Sequence, residues 1–78
     1  MAKHPGTELK KLIAGKKSVA ELAADIGVPE NRLFQIIAGK RSMTANTALR
    51  LAHAGYKTAR YWLDLQSDYD LAQEQERI

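Results

Sequence analysis

The feature that most constrains this chain is a pair of short amphipathic segments, joined at a glycine, within residues 19–38. Ser18 and Glu21 have the S-x-x-E spacing of a capping box, which predicts a helix start. Gly27 suits the left-handed residue past that helix, and Ala23 is small where two crossing helices would meet. Five positions are apolar at helical spacing: Leu22, Ile26, Val28, Leu33 and Ile36. An ordinary corner between packed helices shares some of these features, but their combination favours a helix-turn-helix.

The remaining apolar residues also recur every three or four positions, which is the helical period. They predict helices over Thr7–Ala14, Pro29–Gly39 and about Thr44–Ala54, and a last helix beginning near Thr58. No stretch alternates as a strand does. The sequence therefore predicts one all-α domain of five helices over residues 1–78, with a helix-turn-helix in helices two and three. The fourth helix is expected to bury a stripe of four residues, Ala45, Ala48, Leu49 and Ala52.

The third helix should present polar side chains to solvent. At 100° per residue, a helix that buries Leu33, Ile36 and Ile37 points Asn31 and Gln35 outward. Asn and Gln can each make paired hydrogen bonds to an adenine edge, and an apolar ring can contact a thymine methyl group. The sequence therefore predicts four residues that contact bases: Glu30, Asn31, Phe34 and Gln35.

Charge is distributed unevenly along the chain, whose pI is about 9.4. Residues 1–60 hold 11 Lys and Arg against 4 Asp and Glu, a net charge of +7, and residues 61–78 have a net charge of −4. A basic body indicates a polyanionic partner, although ordinary solvated charge gives a similar composition. Cations and hydroxyls flank the helix-turn-helix. The predicted contacts to DNA phosphates are Lys16, Lys17, Ser18, Arg32, Lys40, Arg41, Ser42 and Thr44.

Several kinds of site are not expected. The chain has no cysteine, and His4 and His53 belong to no metal-binding motif. The glycines fall at expected helix ends and form no phosphate-binding loop. We therefore expect no metal, no cofactor and no catalysis. The first residues resemble no signal peptide, and no apolar run approaches a membrane span, so a cytoplasmic protein without membrane contact is expected.

Three stretches, "HPGTELKK", "SVAELAADIGVPENRLFQIIAGKRSMTANTALRLA" and "YWLDLQSDYDL", together resemble the HigA-type antitoxins. These belong to the lambda-repressor-like (Xre) helix-turn-helix regulators, and the resemblance covers about residues 4–72. It implies a dimeric repressor that binds a palindrome in the promoter of its own operon. It also implies that the protein neutralises a HigB-type toxin, a RelE-like ribonuclease that cleaves mRNA, in a type II toxin–antitoxin system.

The chain departs from that family at three places. Val19 stands where family members usually have a glutamine that contacts DNA. The segment between His4-Pro5-Gly6 and helix two is about two residues shorter than the family pattern. Before the last helix, Tyr56-Lys57-Thr58-Ala59 replaces a turn that contains glycine.

The last helix, about residues 58–74, carries more apolar surface than one small core needs. Together with the resemblance, this predicts a dimer interface made by Tyr61, Trp62, Leu65, Tyr69 and Ala72. The alternative is that the helix only closes the monomer core. The acidic residues of this segment form either a solvated face or a surface for a basic partner. Two other functions stay open: a stand-alone phage-type repressor without a toxin, and a protein-interaction module that has lost DNA binding.

Overall fold

A computed structural model describes residues 2–78, which fold into five α-helices. They are α1 (Pro5–Ile13), α2 (Val19–Ile26), α3 (Glu30–Ile37), α4 (Ala45–His53) and α5 (Ala59–Arg77). No strand forms within residues 2–78, so the predicted all-α class is confirmed. The helices share one hydrophobic core, to which each helix contributes at least one buried side chain.

The start of α1 lies two residues before the predicted start, because His4 and Pro5 define it. His4 Nδ1 accepts a hydrogen bond from the Gly6 N–H at 2.9 Å, which caps the helix, and Pro5 occupies the first turn. Gly6 packs directly on the end of α3. A Cβ atom at this position would lie 2.0 Å from the Ile36 carbonyl oxygen. The two helices can therefore approach this closely only with glycine at position 6.

The helix-turn-helix forms as predicted. Ser18 Oγ accepts from the Glu21 N–H at 3.1 Å, and Glu21 Oε1 accepts from the Ser18 N–H at 2.8 Å. Gly27 follows α2 with a left-handed φ of 73°. Each of the five apolar positions predicted for this motif is at most 5% exposed. Burial of both helix faces fixes α3 against α2.

The structure removes Trp62 from the predicted dimer interface. Its side chain has no exposed surface, and its Nε1–H donates to the Tyr56 carbonyl at 2.8 Å. Trp62 therefore belongs to the monomer core and fixes the turn between α4 and α5. That turn contains Lys57 in a left-handed conformation, with φ of 60°.

The predicted buried stripe of α4 is confirmed at Ala48 and in part at Ala52, which is half-buried, but it is wrong at Ala45 and Leu49. Leu49 is 50% exposed and Ala45 is also exposed, whereas Thr47, Ala48 and Leu51 have no exposed surface. Thr47 can enter the core because the hydroxyls of Thr47 and Thr44 are hydrogen bonded at 3.4 Å. Thr47, whose hydroxyl is hydrogen bonded, is thus buried in the core, whereas Leu49, which the hydropathy pattern predicted to be buried, is exposed.

The last helix, α5, extends beyond the predicted end near residue 74 and stays helical to Arg77. It contains 19 residues, which corresponds to about 28 Å of helix. Residues 73–78 are exposed, whereas Leu63 is half-buried against the core. Within residues 2–78, no helix combines the length and the apolar character needed to cross a membrane.

Candidate nucleic-acid interface

The outer face of α3 is accessible along its length. Leu33 and Ile36 have no exposed surface, whereas Asn31 is exposed and Phe34 is 57% exposed. Gln35 is half-buried at the edge of this face. Glu30 and Arg32 are exposed as well, so all the α3 residues predicted to contact DNA are reachable from solvent. Their contact with DNA stays a prediction.

The chain reverses at the end of α3 and returns beside Gln35. Gly39 has a left-handed φ of 77°, and its N–H donates to the Ile36 carbonyl at 3.0 Å. The Lys40 N–H donates to the Gln35 carbonyl at 2.9 Å. These two bonds form a Schellman motif, which directs the following residues back along the helix. As a result, Arg41 Nε–H donates to Gln35 Oε1 at 2.8 Å.

The segment after α3 is held from behind by Gln66 of α5. The Met43 N–H donates to Gln66 Oε1 at 2.7 Å, and Gln66 Nε2 donates to Asp70 Oδ1 at 2.9 Å. Gln66 is only 6% exposed, so the hydrogen bond from Met43 to its side chain is shielded from water. Sequence analysis missed Gln66, since a glutamine in an acidic helix gives no signal of burial. The exposed side chains of Lys40 and Ser42 thus project from a segment anchored to the core.

The two predicted hydroxyl contacts both cap helices. Ser18 Oγ completes the capping box of α2, and Thr44 Oγ1 accepts from the Thr47 N–H at 3.4 Å at the start of α4. Both side chains are exposed. The positive end of each helix dipole therefore lies at the surface beside a hydroxyl that could also bond a phosphate oxygen.

Lys16 and Lys17 have neighbours in α2 and in the α4–α5 turn. Lys17 forms an ion pair with Asp25 in the last turn of α2, and this hydrogen bond raises the pKa of Lys17 above its usual value. Lys16 lines a surface cleft of about 400 Å³ with Tyr56 and Lys57. The structure therefore pairs Lys17 with α2 and places Lys16 beside the α4–α5 turn.

Arg50 ties the helix-turn-helix to α4, which sequence analysis did not predict. Its Nη1 donates to the Ile26 carbonyl at 3.1 Å, and its Nε donates to Asn46 Oδ1 at 3.1 Å. Ile26 ends α2, so the guanidinium satisfies a carbonyl at the negative end of that helix. A Cβ atom at Gly27 would lie 2.9 Å from Nη1, so glycine makes room for this contact.

His4 lies beneath the segment that carries Arg41. His4 is 7% exposed, and its ring meets the ring of Tyr69 edge-on with centroids 4.9 Å apart. Burial lowers the pKa of His4 below its usual value, and Nδ1, which accepts from Gly6, must be unprotonated for that bond. His53 is exposed at the end of α4. Within residues 2–78, no three side chains of the types that bind metals come together.

The chain has relatives among known proteins and solved structures. No protein-family model matches it. Virulence-associated protein I of Dichelobacter nodosus is 37% identical over 70 residues, which are 87% of this chain and 65% of that protein. The chain thus spans about 65% of the length of this curated relative.

Two solved structures share the whole fold. An addiction module antidote protein of the HigA family from Coxiella burnetii superposes with a TM-score of 0.91 at 38% identity, covering 97% of this chain and 85% of that one. PA4674 of Pseudomonas aeruginosa, solved in complex with its operator DNA, has a TM-score of 0.87 at 32% identity, covering 95% of this chain and 84% of that one.

Proposed function

This chain belongs to the HigA family of addiction-module antidote proteins, and on that premise we propose that it is the antitoxin of a type II toxin–antitoxin pair. In this role it represses its own operon by binding operator DNA and neutralises a HigB-type, RelE-like ribonuclease. It has no catalysis of its own, because both activities are binding.

The outer face of α3 carries the DNA-binding part of the proposal. Asn31, Phe34 and Gln35 are accessible on a helix whose opposite face is locked into the core. Side chains of these types read base edges in the major groove, and the rigid support lets them do so in a fixed register. Arg32, Lys40 and Arg41 would bind the phosphates on either side. PA4674, which shares this fold, is solved with its operator DNA, and this supports DNA binding as the role of the fold.

The proposal includes a homodimer through α5, which would let the protein recognise a palindrome. Tyr61, Leu65, Tyr69 and Ala72 are half-buried, so each keeps surface that a second copy could cover. Leu71, which lies outside the predicted interface, is 63% exposed and would extend the apolar area. A two-fold arrangement of this kind would place the two α3 helices about 34–36 Å apart, one turn of DNA.

The acidic end of the chain suits the toxin. Residues 61–78 hold five acidic residues and one Arg, in contrast to the basic body. A ribonuclease that cleaves mRNA must bind a polyanion, so its active face is basic and complementary to this segment. Binding there would leave α3 free for DNA.

A gel-shift titration tests repression. The protein would be titrated at two salt concentrations against duplex DNA from upstream of its own reading frame, with an Asn31→Ala, Gln35→Ala double variant as the control. We expect retardation that survives competitor DNA with the wild type and is lost with the double variant. Absence of specific retardation would contradict repression and favour a protein-interaction module.

Co-expression with the adjacent reading frame tests the toxin part. Mass measurement of the intact complex should show a small basic protein bound to the antitoxin dimer. A dimer that binds its operator but has no partner in this experiment would contradict the antitoxin assignment and favour a stand-alone repressor.

A further inference from the structure

We propose that Arg41 is a specificity-determining residue: it holds the side-chain amide of Gln35 in one orientation and so sets the base preference at one base pair of each half-site. The inference rests on the proposed DNA-binding function. It assigns Arg41, a residue outside the recognition helix, a role in reading sequence in addition to binding phosphate.

The backbone places Arg41 over Gln35. The left-handed Gly39 and the bond from the Lys40 N–H to the Gln35 carbonyl, at 2.9 Å, return the chain to the last turn of α3. The next residue, Arg41, then lies within hydrogen-bonding distance of the Gln35 side chain, at 2.8 Å. Two residues later, Gln66 fixes Met43 through a shielded hydrogen bond. The segment that carries Arg41 is therefore anchored at both ends.

The hydrogen bond selects one of the two orientations of the Gln35 amide. A glutamine side chain ends in an oxygen that accepts and an NH₂ group that donates, and rotation by 180° exchanges them. The Arg41 Nε–H can only donate. With the oxygen toward Arg41 the two groups are bonded, and with the NH₂ group toward Arg41 two donors face each other. The unfavourable orientation is therefore depopulated before DNA arrives.

A fixed amide discriminates between bases better than a rotating one. The Gln35 oxygen retains one lone pair for the N6–H of adenine, while its NH₂ group can donate to N7 of the same base. A freely rotating amide could instead offer its oxygen or its NH₂ group singly to several bases. The half-buried position of Gln35 also limits its other rotamers. We therefore expect adenine at the base pair that Gln35 contacts.

Arg41 can bind phosphate at the same time, which links the two kinds of contact. A guanidinium has five N–H donors, and the bond to Gln35 uses one of them. The remaining donors can grip a phosphate in the paired geometry that arginine favours. If Arg41 bound phosphate alone, lysine would replace it with little change in base preference. The substitution Arg41→Lys therefore separates the two roles. It keeps the charge, but it replaces the separate Nε–H and Nη donors by one ammonium, which cannot bond Gln35 in the same plane and also grip a phosphate in the paired geometry.

The experiment selects binding sites from a duplex DNA library of randomised sequence, with the full chain and four variants: Gln35→Ala, Arg41→Lys, the double variant and Lys40→Ala. Binding to the selected sites is then measured as a function of salt. The wild type should prefer adenine by about 10-fold or more at the base pair where Gln35→Ala loses its preference. Arg41→Lys should lower this preference to about 3-fold or less without changing the salt dependence. Lys40→Ala should flatten the salt dependence and leave the adenine preference unchanged.

The double variant decides whether Arg41 acts through Gln35. Once Gln35 is alanine, Arg41→Lys should have no further effect on base preference, as expected for two coupled residues. Unchanged preference in Arg41→Lys would overturn the inference, as would an equal loss with and without Gln35. If the wild type selects no sequence at all, the proposed DNA binding fails and the inference fails with it. Arg41 is exposed, so the variant should keep the thermal unfolding midpoint of the wild type.

Discussion

Replacement of Gly6 by alanine tests the close approach of α1 to the end of α3. The added Cβ atom would lie 2.0 Å from the Ile36 carbonyl oxygen and 2.8 Å from Ile37 Cα. Both neighbours are backbone atoms at the end of α3, so no side-chain rotation can relieve the clash. Ordinary contact begins at 3.4 Å, and α1 would therefore have to move away from α3 by about 1.4 Å.

The expected loss of stability follows from two opposing effects. Alanine favours a helix over glycine by about 0.5–1 kcal/mol. Overpacking of a close contact costs about 1–3 kcal/mol, and the rigid backbone on both sides places this site at the upper end. The movement would also disturb Leu9, which has no exposed surface. The Gly6→Ala variant should therefore lose about 2 kcal/mol of unfolding free energy, which corresponds to roughly 8–16 °C in the unfolding midpoint of a small domain.

Urea unfolding followed by the fluorescence of Trp62 measures this change, because the chain has one tryptophan and it is buried. The urea midpoint should fall while the slope of the transition stays constant. The control is Thr7→Ala, an exposed position on the same turn, which should leave the midpoint unchanged or raise it slightly. A Gly6→Ala variant as stable as the control would refute the close-packing argument.

Three further predictions concern His4, Gln66 and Lys40. Burial lowers the pKa of His4 in the folded protein. Between its ordinary value of 6.5 and this lower folded pKa, the unfolded chain binds a proton that the folded protein does not. The unfolding free energy should therefore fall as the pH decreases through this range. The His4→Asn variant should lose this pH dependence in urea titrations, and His53→Asn, which changes an exposed residue, should keep it. Gln66→Leu should cost about 1–3 kcal/mol, because the Met43 N–H loses its partner, and hydrogen exchange at that amide should accelerate. Lys40→Ala should weaken binding to all DNA sequences, and the slope of log K against log salt should flatten by about one in anisotropy titrations.

The helix-turn-helix was predictable because its signals are local. The Ser18–Glu21 capping box and the left-handed Gly27 act within a few residues, and the apolar spacing determines which sides of α2 and α3 face each other. The same periodicity placed Asn31 and Phe34 on the exposed face of α3. Where each signal lies within the element it specifies, sequence and structure agree.

The buried face of α4 and the place of Trp62 depend on distant parts of the chain. Periodicity offered Leu49 as a core residue, but the hydroxyl pair of Thr44 and Thr47 allowed Thr47 to be buried instead. Trp62 looked like surplus apolar surface because its partner, the Tyr56 carbonyl, lies in a turn that the sequence pattern does not define. Such choices depend on tertiary contacts, which override local preference.

The contacts that organise the candidate interface were likewise beyond the sequence pattern. The hydrogen bond between Arg41 and Gln35 joins residues six apart, and the bond between Gln66 and Met43 joins residues 23 apart. The helical period predicts which side chains of α3 are exposed. The orientation of the Gln35 side-chain amide depends instead on its hydrogen-bond partner, Arg41. The His4-Pro5-Gly6 opening, recognised only as a resemblance, acquires a physical reason from the helix cap and the close approach to α3.

The most direct test of the central claim is the mapping of DNA contacts by NMR on the full chain labelled with ¹⁵N. On titration with duplex DNA from upstream of its own reading frame, the largest changes in backbone and side-chain amide signals should fall on Asn31, Phe34, Gln35 and the segment from Lys40 to Thr44. The side-chain NH₂ signals of Asn31 and Gln35 should shift with the selected sequence and shift less with an unrelated duplex. Changes confined to α5, or equal changes with both duplexes, would contradict base recognition by α3.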